Sequence, residues 1–468
     1  MYIKKKQYFC TRFRKEDISR SRAVVARQAH NLKVGGSIPS SATTMRKQFL
    51  LLIALSTLSV SAVERVSLER LQADWNEWTN KTVYITTPLV VCGSFYDSLV
   101  LAPERLFCPE ERAVGLADGD STEYNILRTH NHEASVVLHC RNQYYNVRSG
   151  DIIHGLKARV TGERQLLTGQ SIRTRHLSKD RLSRAGHGVL RVAGANIENY
   201  FADLGGYATK RTTPAQQALK TKKLATGLRA MHADIFALCE MQVGDKAPNM
   251  LLEALNKGGK KYAFVSLGIE DMDRIGGCFI YNTERVRPCA EWISAYSDTA
   301  SHYRARMYAV PFEEVASGER FIISLNHFKS KRPGRTQYDT NLRRMENTDS
   351  LLAMLPKAVA TFGDEDILLL GDYNCYTQEQ PIQTIVRAGY MDMLPLGHSS
   401  DYSYSFKGEA GYLDRCFASP SMAAQIVHVR PWHINADWYY QHGAYKMKDK
   451  TLHRYADHDP IIVDINLK

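Results

Sequence analysis

Residues 366–374 read DILLLGDYN: four aliphatic residues, Ile367 to Leu370, give way at Gly371 to Asp372, Tyr373 and Asn374. The apolar run has strand length and no polar face, so it reads as a buried strand ending on a carboxylate and an amide. Other segments end in the same way. ADIFALCE (233–240) is a continuous apolar strand closing on Glu240, FIISLN (321–326) runs into Asn326 and His327, and Asp457-His458 stands just before the last strand, PIIVDIN (460–466). VLRVAGAN (189–196), KYAFVSLG (261–268), GGCFIYN (276–282), RMYAVPF (306–312) and YLDRCFAS (412–419) read as further strands. Between them, Thr213 as N-cap, Pro214 at the first position and Gln216 three residues on start one helix. A second helix is predicted from Tyr338 to Leu355. This mix implies sheets packed together with helices outside, an α/β sandwich.

Charged and amide residues at several strand ends are what a rigid scaffold needs to aim side chains into one cleft. Singly, such a residue is ordinarily solvated or caps a turn; together in one domain they point to a metal-assisted site. Carboxylate and amide oxygens without cysteine or clustered histidine suit hard cations, Mg²⁺ first, with Mn²⁺ or Ca²⁺ left open. Histidines beside them supply groups that move protons near neutral pH. A hard cation with His–Asp pairs is the equipment for hydrolysis of phosphate esters.

Outward from this region the chain changes character. KDRLSRAGHG (179–188) is polar and glycine-containing, a linker. From Lys81 to about Ile172, short β-like runs broken by glycine predict a small β barrel or sandwich with no helix among them. Residues 64–80 read as one helix, with Leu68, Leu71 and Trp75 at helical spacing. Further upstream, Arg46-Lys47, the apolar run Phe49 to Val60 and the small residues Val60-Ser61-Ala62 make a secretory signal peptide at 45–62, too short to span a membrane. Such a signal begins at the initiator, so Met45 is read as the true start. Residues 1–44 are then a mis-assigned extension; VARQAHNLKVGGSIPSS (25–41) resembles the conceptual translation of a transfer-RNA gene region. Charge agrees. Residues 1–44 carry ten Lys/Arg against two Asp/Glu, and Arg46 and Lys47 add two, so only +2 of the net +12 belongs to residues 63–468. The global basic balance therefore argues for no partner. Without Cys10, eight cysteines remain; Cys92–Cys108 and Cys278–Cys289 are the local candidates for disulfides, with buried free thiols the alternative.

Along the chain, Asn196-Ile197 in GANIENYF, Glu240 in LCEMQ, LNHFKSK (325–331), GDYN (371–374), YSFKGEAGYLDR around Asp414 and ADHDP (456–460) resemble the ordered motifs of the deoxyribonuclease-I-like endonuclease/exonuclease/phosphatase superfamily. GDYNCYTQEQPI and WHINAD (432–437) are similar to large secreted bacterial nucleases, which carry an OB-like domain ahead of the catalytic one. The resemblance implies an α/β fold: a four-layer α/β sandwich at 189–468, behind a linker at 181–188, preceded by a small β-barrel (OB-like) domain at 63–180. It implies that Asn196 and Glu240 hold the metal, with Asp457 from the other side. Asp372 and Asn374 would orient the attacked phosphate and the nucleophilic water. His458, polarised by Asp414, would be the general base, and His327 would stabilise or protonate the leaving side. Arg306, with Arg304 competing, would contact substrate phosphate. Two departures stand out: Ala456 replaces a serine, and Arg415 follows Asp414 where close relatives often have His, leaving the partner of Asp414 open.

Lys329 and Lys331, in a run with Arg332 and Arg335, follow His327 and are read as meeting substrate phosphates, with a solvated face the alternative. Lys220, Lys222 and Lys223 read as a solvated basic face. His130, His132 and His139 are read as exposed rather than metal-binding, the first two on one face of a strand. Asp118 and Asp120 resemble a fragment of a calcium loop but lack its glutamate. The sequence thus predicts a secreted metal-dependent nuclease acting on nucleic acid, DNA with RNA left open. The OB-like domain is expected to aid substrate engagement rather than chemistry. The alternatives are a sphingomyelinase or another phosphoester hydrolase of the superfamily, and a non-catalytic nucleic-acid binder.

Overall fold

The structure is a computed structural model describing residues 63–95, 98–140, 147–174, 182–206, 209–257, 259, 261–267, 274–295, 306–332, 340–394, 401–438 and 453–468. The N-terminal extension, the signal peptide, part of the linker, Arg304 and Arg335 lie outside the described residues. Residues 63–468 form one compact unit.

Its C-terminal part is built on strands β1 (Leu190–Tyr200), β2 (Ile235–Gln242), β3 (Tyr262–Val265), β4 (Ile275–Asn282), β5 (Arg306–Glu314), β6 (Arg320–His327), β7 (Ile367–Asp372), β8 (Asp414–Ala418), β9 (Ile426–Pro431) and β10 (Ile461–Ile465). One sheet runs β3-β4-β2-β1-β10-β9; the other runs β5-β6-β7-β8 with Val286–Pro288 and Met391–Asp392 at its edges. Leu368 and Leu370 face the core between the sheets, with Val192, Ala237 and Ile323. Ile367 and Leu369 point the other way, onto helices α3 (Thr340–Phe362) and α4 (Gln380–Arg387) through Leu351, Leu355 and Ile382. Phe236 and Leu238 likewise pack against α1 (Pro214–Met231) and α2 (Lys246–Asn256). Both faces of β2 and β7 are therefore buried, so alternation along the strand puts apolar residues at every position. The result is a four-layer α/β sandwich.

Several expectations hold locally. Thr213 and Gln216 form a reciprocal capping box, with Gln216 Oε1 accepting from the Thr213 amide at 2.8 Å. Helix α3 continues past Leu355, through Pro356, to Phe362. The strand read over 412–419 begins at Asp414 and ends at Ala418.

The N-terminal part is a sheet with strands in the order Glu64–Val66, Thr82–Ile85, Leu156–Gly162, Gln165–Thr168, Val136–Cys140, Ser98–Ala102, Leu89–Phe95 and Ile152–Ile153. The single helix expected over 64–80 is instead a strand followed by two short helices, Leu68–Ala73 and Trp75–Trp78, because Asp74 caps a new helix start. A 13-residue helix, Thr122–Ala134, interrupts the β region where none was expected. Its sequence is polar all round; its one buried residue, Asn131, donates to Phe107 O at 2.7 Å and Glu409 Oε1 at 2.8 Å. No apolar stripe announces a helix held in this way. His130 and His132 therefore lie on a helix, while His139 sits on a strand bonded to Ser98 and Gln165, and the three do not converge. Asp118 pairs with Arg387, and Asp120 accepts from the Thr122 amide. The eight cysteines among the described residues are free thiols; Cys92 donates to Glu104 O and Cys278 is enclosed in the sheet.

Gly371 marks the tightest approach in the catalytic sheet. Its φ is +138°, and an added Cβ would lie 1.9 Å from Asn326 O. Gly371→Ala is expected to destabilise the protein by at least about 3 kcal/mol, since neither backbone can yield. Gly363→Ala, at φ +69° with open space around it, should cost only about 1 kcal/mol. Urea denaturation compares the two, and equal losses would remove close approach as the reason for glycine at 371.

Candidate active site

The parallel strand pairs β1–β2 and β6–β7 end at one edge of the sandwich. Strands β8 and β10 run antiparallel to their neighbours β7 and β1, so they begin there. In register, Arg306 stands opposite His327, His327 beside Asp372, and Asp372 opposite Asp414. One row across a single sheet thus carries four of the residues singled out in the sequence. The Arg306 side chain lies outside the described residues.

Asp372 Oδ2 is the focal atom. The Asn196 amide donates to it at 3.0 Å, while His327 Nε2 lies at 3.9 Å and His458 Nε2 at 4.0 Å. Its other oxygen accepts from the Asn374 amide at 2.8 Å. Asn196 Nδ2 also donates to Glu240 Oε1 at 3.0 Å, and Glu240 Oε2 accepts from Asn199 N at 2.8 Å. His458 Nδ1 meets Asp414 Oδ2 at 2.7 Å, and the Tyr404 ring stacks on the imidazole at 4.5 Å. This answers the doubt raised by Arg415, which turns away to Asp392 at 2.6 Å and Thr377 at 2.6 Å, leaving His458 as the partner of Asp414.

Two bulges shape this edge. The β1–β2 register shifts between Asn196 and Tyr200, and the β2–β4 register shifts at Glu240. Glu198, Asn199, Glu240 and Asn374 adopt φ of +51°, +52°, +68° and +50°. Left-handed backbone is costly for such residues and gathers where side chains must be re-aimed at a site.

The site is strongly anionic and largely buried. Burial pushes the Asp372 carboxyl up to about 7 in spite of His458, with Asp414 and Glu240 adding to the rise. Glu240 is raised by burial and then by Asp457. Glu198 is pushed to about 7 by burial and by Asp457, against the pull of Arg454 and Lys220. For His458 burial disfavours the charged ring, but Asp414, Asp372 and Asp457 outweigh it and hold the imidazole protonated well above its ordinary range.

Among the described residues, no three Asp, Glu, His or Cys side chains form a finished metal cage. The donor set still fits a hard divalent cation. Mg²⁺ is typically held by one or two carboxylates and keeps several waters. Burial first, and neighbouring carboxylates after it, raise the proton affinity of Glu240, Glu198 and Asp372, so several acidic groups share one poorly solvated place. Glu240 and Asp457 are the residues that would hold the ion. Asn196 reaches the same place, but its nitrogen faces the carboxylates while its oxygen accepts from the Glu198 amide at 2.9 Å, so it bridges Glu240 and Asp372 as a donor.

The basic clusters resolve differently. Lys220 and Lys223 are buried, not solvated, and Lys220 Nζ donates to Tyr455 O at the base of the site. Lys331 pairs with Glu379 at 2.5 Å and lies over the Tyr376 ring, while Lys329 Nζ donates to Ser330 Oγ at 3.0 Å. Sequence reading passed over Glu198, Arg454 and Tyr404 as site residues and took Lys220 for part of a solvated face. Glu198 in GANIENYF and Tyr404 at the head of YSFKGEAGYLDR both lay inside motifs that pointed to the site.

A sandwich of this kind, with a His–Asp pair facing buried carboxylates, carries groups suited to phosphoester hydrolysis. Residues 193–458 match the Endonuclease/Exonuclease/phosphatase family, and the chain belongs to it. Members of that family are phosphoester hydrolases that typically use divalent metals. No curated protein sequence matches the chain as a whole. Among solved structures, an endonuclease/exonuclease/phosphatase family protein of Bacteroides thetaiotaomicron shares 16% identity over 59% of this chain and 97% of its own, with TM-score 0.42. A mannosyl-6-phosphatase of the same organism shares 16% identity over 58% and 98%, with TM-score 0.42. D. rerio TDP2 complexed with single-strand DNA product shares 15% identity over 59% and 99%, with TM-score 0.39.

His433, in WHINAD, braces the loop that carries His458. It lies 2.9 Å from Asp459 and 3.1 Å from Asp401, and Asn435 next to it donates to His458 O at 2.7 Å. Burial opposes its charge, yet Asp401 and Asp459 push it up to about 10. A folded-state value above the unfolded ~6.5 gives stability that is full below ~6.5 and lost as pH rises towards 10. His433→Gln should therefore cost about 1.5–3 kcal/mol at pH ~6 and progressively less towards pH ~10. Urea titrations across that range check it; a cost independent of pH would show that the charged ring plays no part.

Proposed function

We propose that this chain is a secreted, metal-dependent nuclease that hydrolyses phosphodiester bonds of DNA, with RNA left open. The observation that carries the reading is the 2.7 Å contact of His458 Nδ1 with Asp414, which leaves Nε2 facing Asp372 within the carboxylate cluster. A water attacking phosphorus must lose a proton, and Nε2 of a ring held by a carboxylate is placed to take it. The new bond joins the water oxygen to phosphorus, the bond to the leaving oxygen breaks, and His327 stands on that side to supply the leaving oxygen with a proton. Asp372 and Asn374 orient the phosphate and the water. A divalent cation at Glu240 and Asp457 supplies charge stabilisation for the phosphate. A cation held there would also weaken the pull of the carboxylates on the His458 proton.

Nuclease rather than phosphatase is favoured by Lys329, Lys331 and Arg332 directly after His327, by an Arg306 in register with His327, and by the likeness of GDYNCYTQEQPI and WHINAD to secreted nucleases. Export rests on the signal-like segment 45–62, and the OB-like reading of the N-terminal region rests on the same likeness.

Exported protein incubated with plasmid DNA, RNA and sphingomyelin, with Mg²⁺, Mn²⁺, Ca²⁺ or chelator, should cleave DNA only when a cation is present, and its N-terminus should lie near Val63. Turnover of sphingomyelin alone would identify a sphingomyelinase, and DNA binding without cleavage a non-catalytic protein. His458→Ala should lower kcat about 10²–10⁴-fold with binding less affected, and Asp414→Asn should lower it through a misoriented ring. Turnover by folded His458→Ala within about threefold of wild type, far inside that loss, would shift the base to Asp372.

A further inference from the structure

The N-terminal β region reaches the catalytic site through one buried carboxylate. Glu111, on the short helix Pro109–Arg112, is 5% exposed. Its Oε2 accepts from the amides of Tyr412 at 3.1 Å and Thr377 at 3.2 Å and lies 3.5 Å from Arg415 Nη2, while Oε1 takes the Thr377 hydroxyl. All of these donors belong to the catalytic domain. Tyr412 stands two residues before Asp414, and Thr377 three residues after Asn374.

Those two segments lie just beyond the edge where β7 and β8 stop pairing, at the register pair Asp372–Asp414. Past that pair one further backbone bond, Tyr373 N to Leu413 O at 2.9 Å, still ties them. Beyond it Glu111 accepts from both backbones, and Arg415 Nη2 closes the ring by donating to Thr377 Oγ1 at 2.6 Å. A carboxylate taken out of water costs several kcal/mol unless donors surround it. Burial indeed raises the proton affinity of Glu111 against Arg415 and these donors, so the desolvation cost is only partly offset. Joining two apolar surfaces would not need it. The helix bearing Glu111 is itself anchored on the same segments, with Gln378 N donating to Glu110 O at 2.9 Å and Cys108 N to Ala410 O at 2.9 Å.

We infer that Glu111 is a positioning residue for the phosphoester site: it sets the spacing between the Asp372–Asn374 turn and Asp414, and so the aim of His458. The inference rests on the hydrolytic reading above, whatever the substrate. It makes the N-terminal region a structural part of the active site rather than only a surface for engaging substrate. Displacement of a reacting group by about 1 Å costs on the order of 10² in rate.

The test uses the full exported chain and bis(para-nitrophenyl) phosphate, a diester too small to touch a remote binding surface, with rates taken per folded molecule from thermal melts. Glu111→Ala should lower kcat about 10²-fold with KM changed by less than about twofold. Glu111→Gln, which keeps the acceptor oxygen, should recover part of the rate, and Thr377→Val should lower kcat in the same direction. Asp118→Ala, which removes the exposed contact with Arg387 between the same two regions, should leave both constants unchanged. If Glu111→Ala does not fold, Glu111→Gln and Thr377→Val decide. Variants at 111 and 377 matching an active wild type in kcat, or raising KM alone, would overturn the role of Glu111. An inactive wild type would instead count against the hydrolytic reading.

Discussion

Asp372 Oδ2 sits among two imidazoles and an amide, with Glu240 and Asp414 close by, and its side chain is buried. Burying a carboxylate beside others is costly: burial, with Asp414 and Glu240 adding to it, raises Asp372 to about 7. Much of the molecule can be understood from it. The two sheets are buried on both faces, which makes their common edge rigid enough to keep the carboxylates from drifting apart. Left-handed backbone at Glu240, Asn374 and Glu198 turns side chains inward that an ordinary strand would send elsewhere. Asn196 separates Glu240 from Asp372 with an N–H to each. What remains is negative charge for which the protein provides no full counter-charge.

The features that sequence reading recovered are those carried by regular periodicity. Continuous apolar runs in β2 and β7 follow from burial on both faces, and a polar residue at the end of each run marks the site edge. Thr213, Pro214 and Gln216 announced a helix because a capping box is a local event. Failures came where tertiary contacts overrule local signals. The helix Thr122–Ala134 has no apolar stripe and is fixed through Asn131, 278 residues from its partner Glu409. The lysines of α1 looked solvated because nothing near them in sequence shows that Lys220 reaches Tyr455, 235 residues on. The bulges at Asn196 and Glu240 have no compositional mark. Asn196 stands at the site all the same, its side-chain nitrogen donating to Glu240 and Asp372.

The site and the rest of the chain divide the functional question. The groups proposed to activate water and stabilise charge gather at the edge of the two sheets, and these suit phosphoesters in general. On the same proposal, choice of substrate falls to what surrounds the edge: the basic loop 329–332, the segment that brings Arg306 to the edge, and the N-terminal region. Glu111 links the two halves of the question, since a region outside the sandwich helps to set the geometry of the chemistry.

The central claim is that the buried carboxylates are an incomplete site completed by a divalent cation. Calorimetric titration of the purified protein with Mn²⁺ tests it without reference to any substrate. The account predicts saturable binding in wild type, weakened in folded Glu240→Gln by more than the ~10–100-fold that losing a mere supporting partner costs. Binding of equal strength in both proteins, or none in wild type, would contradict it.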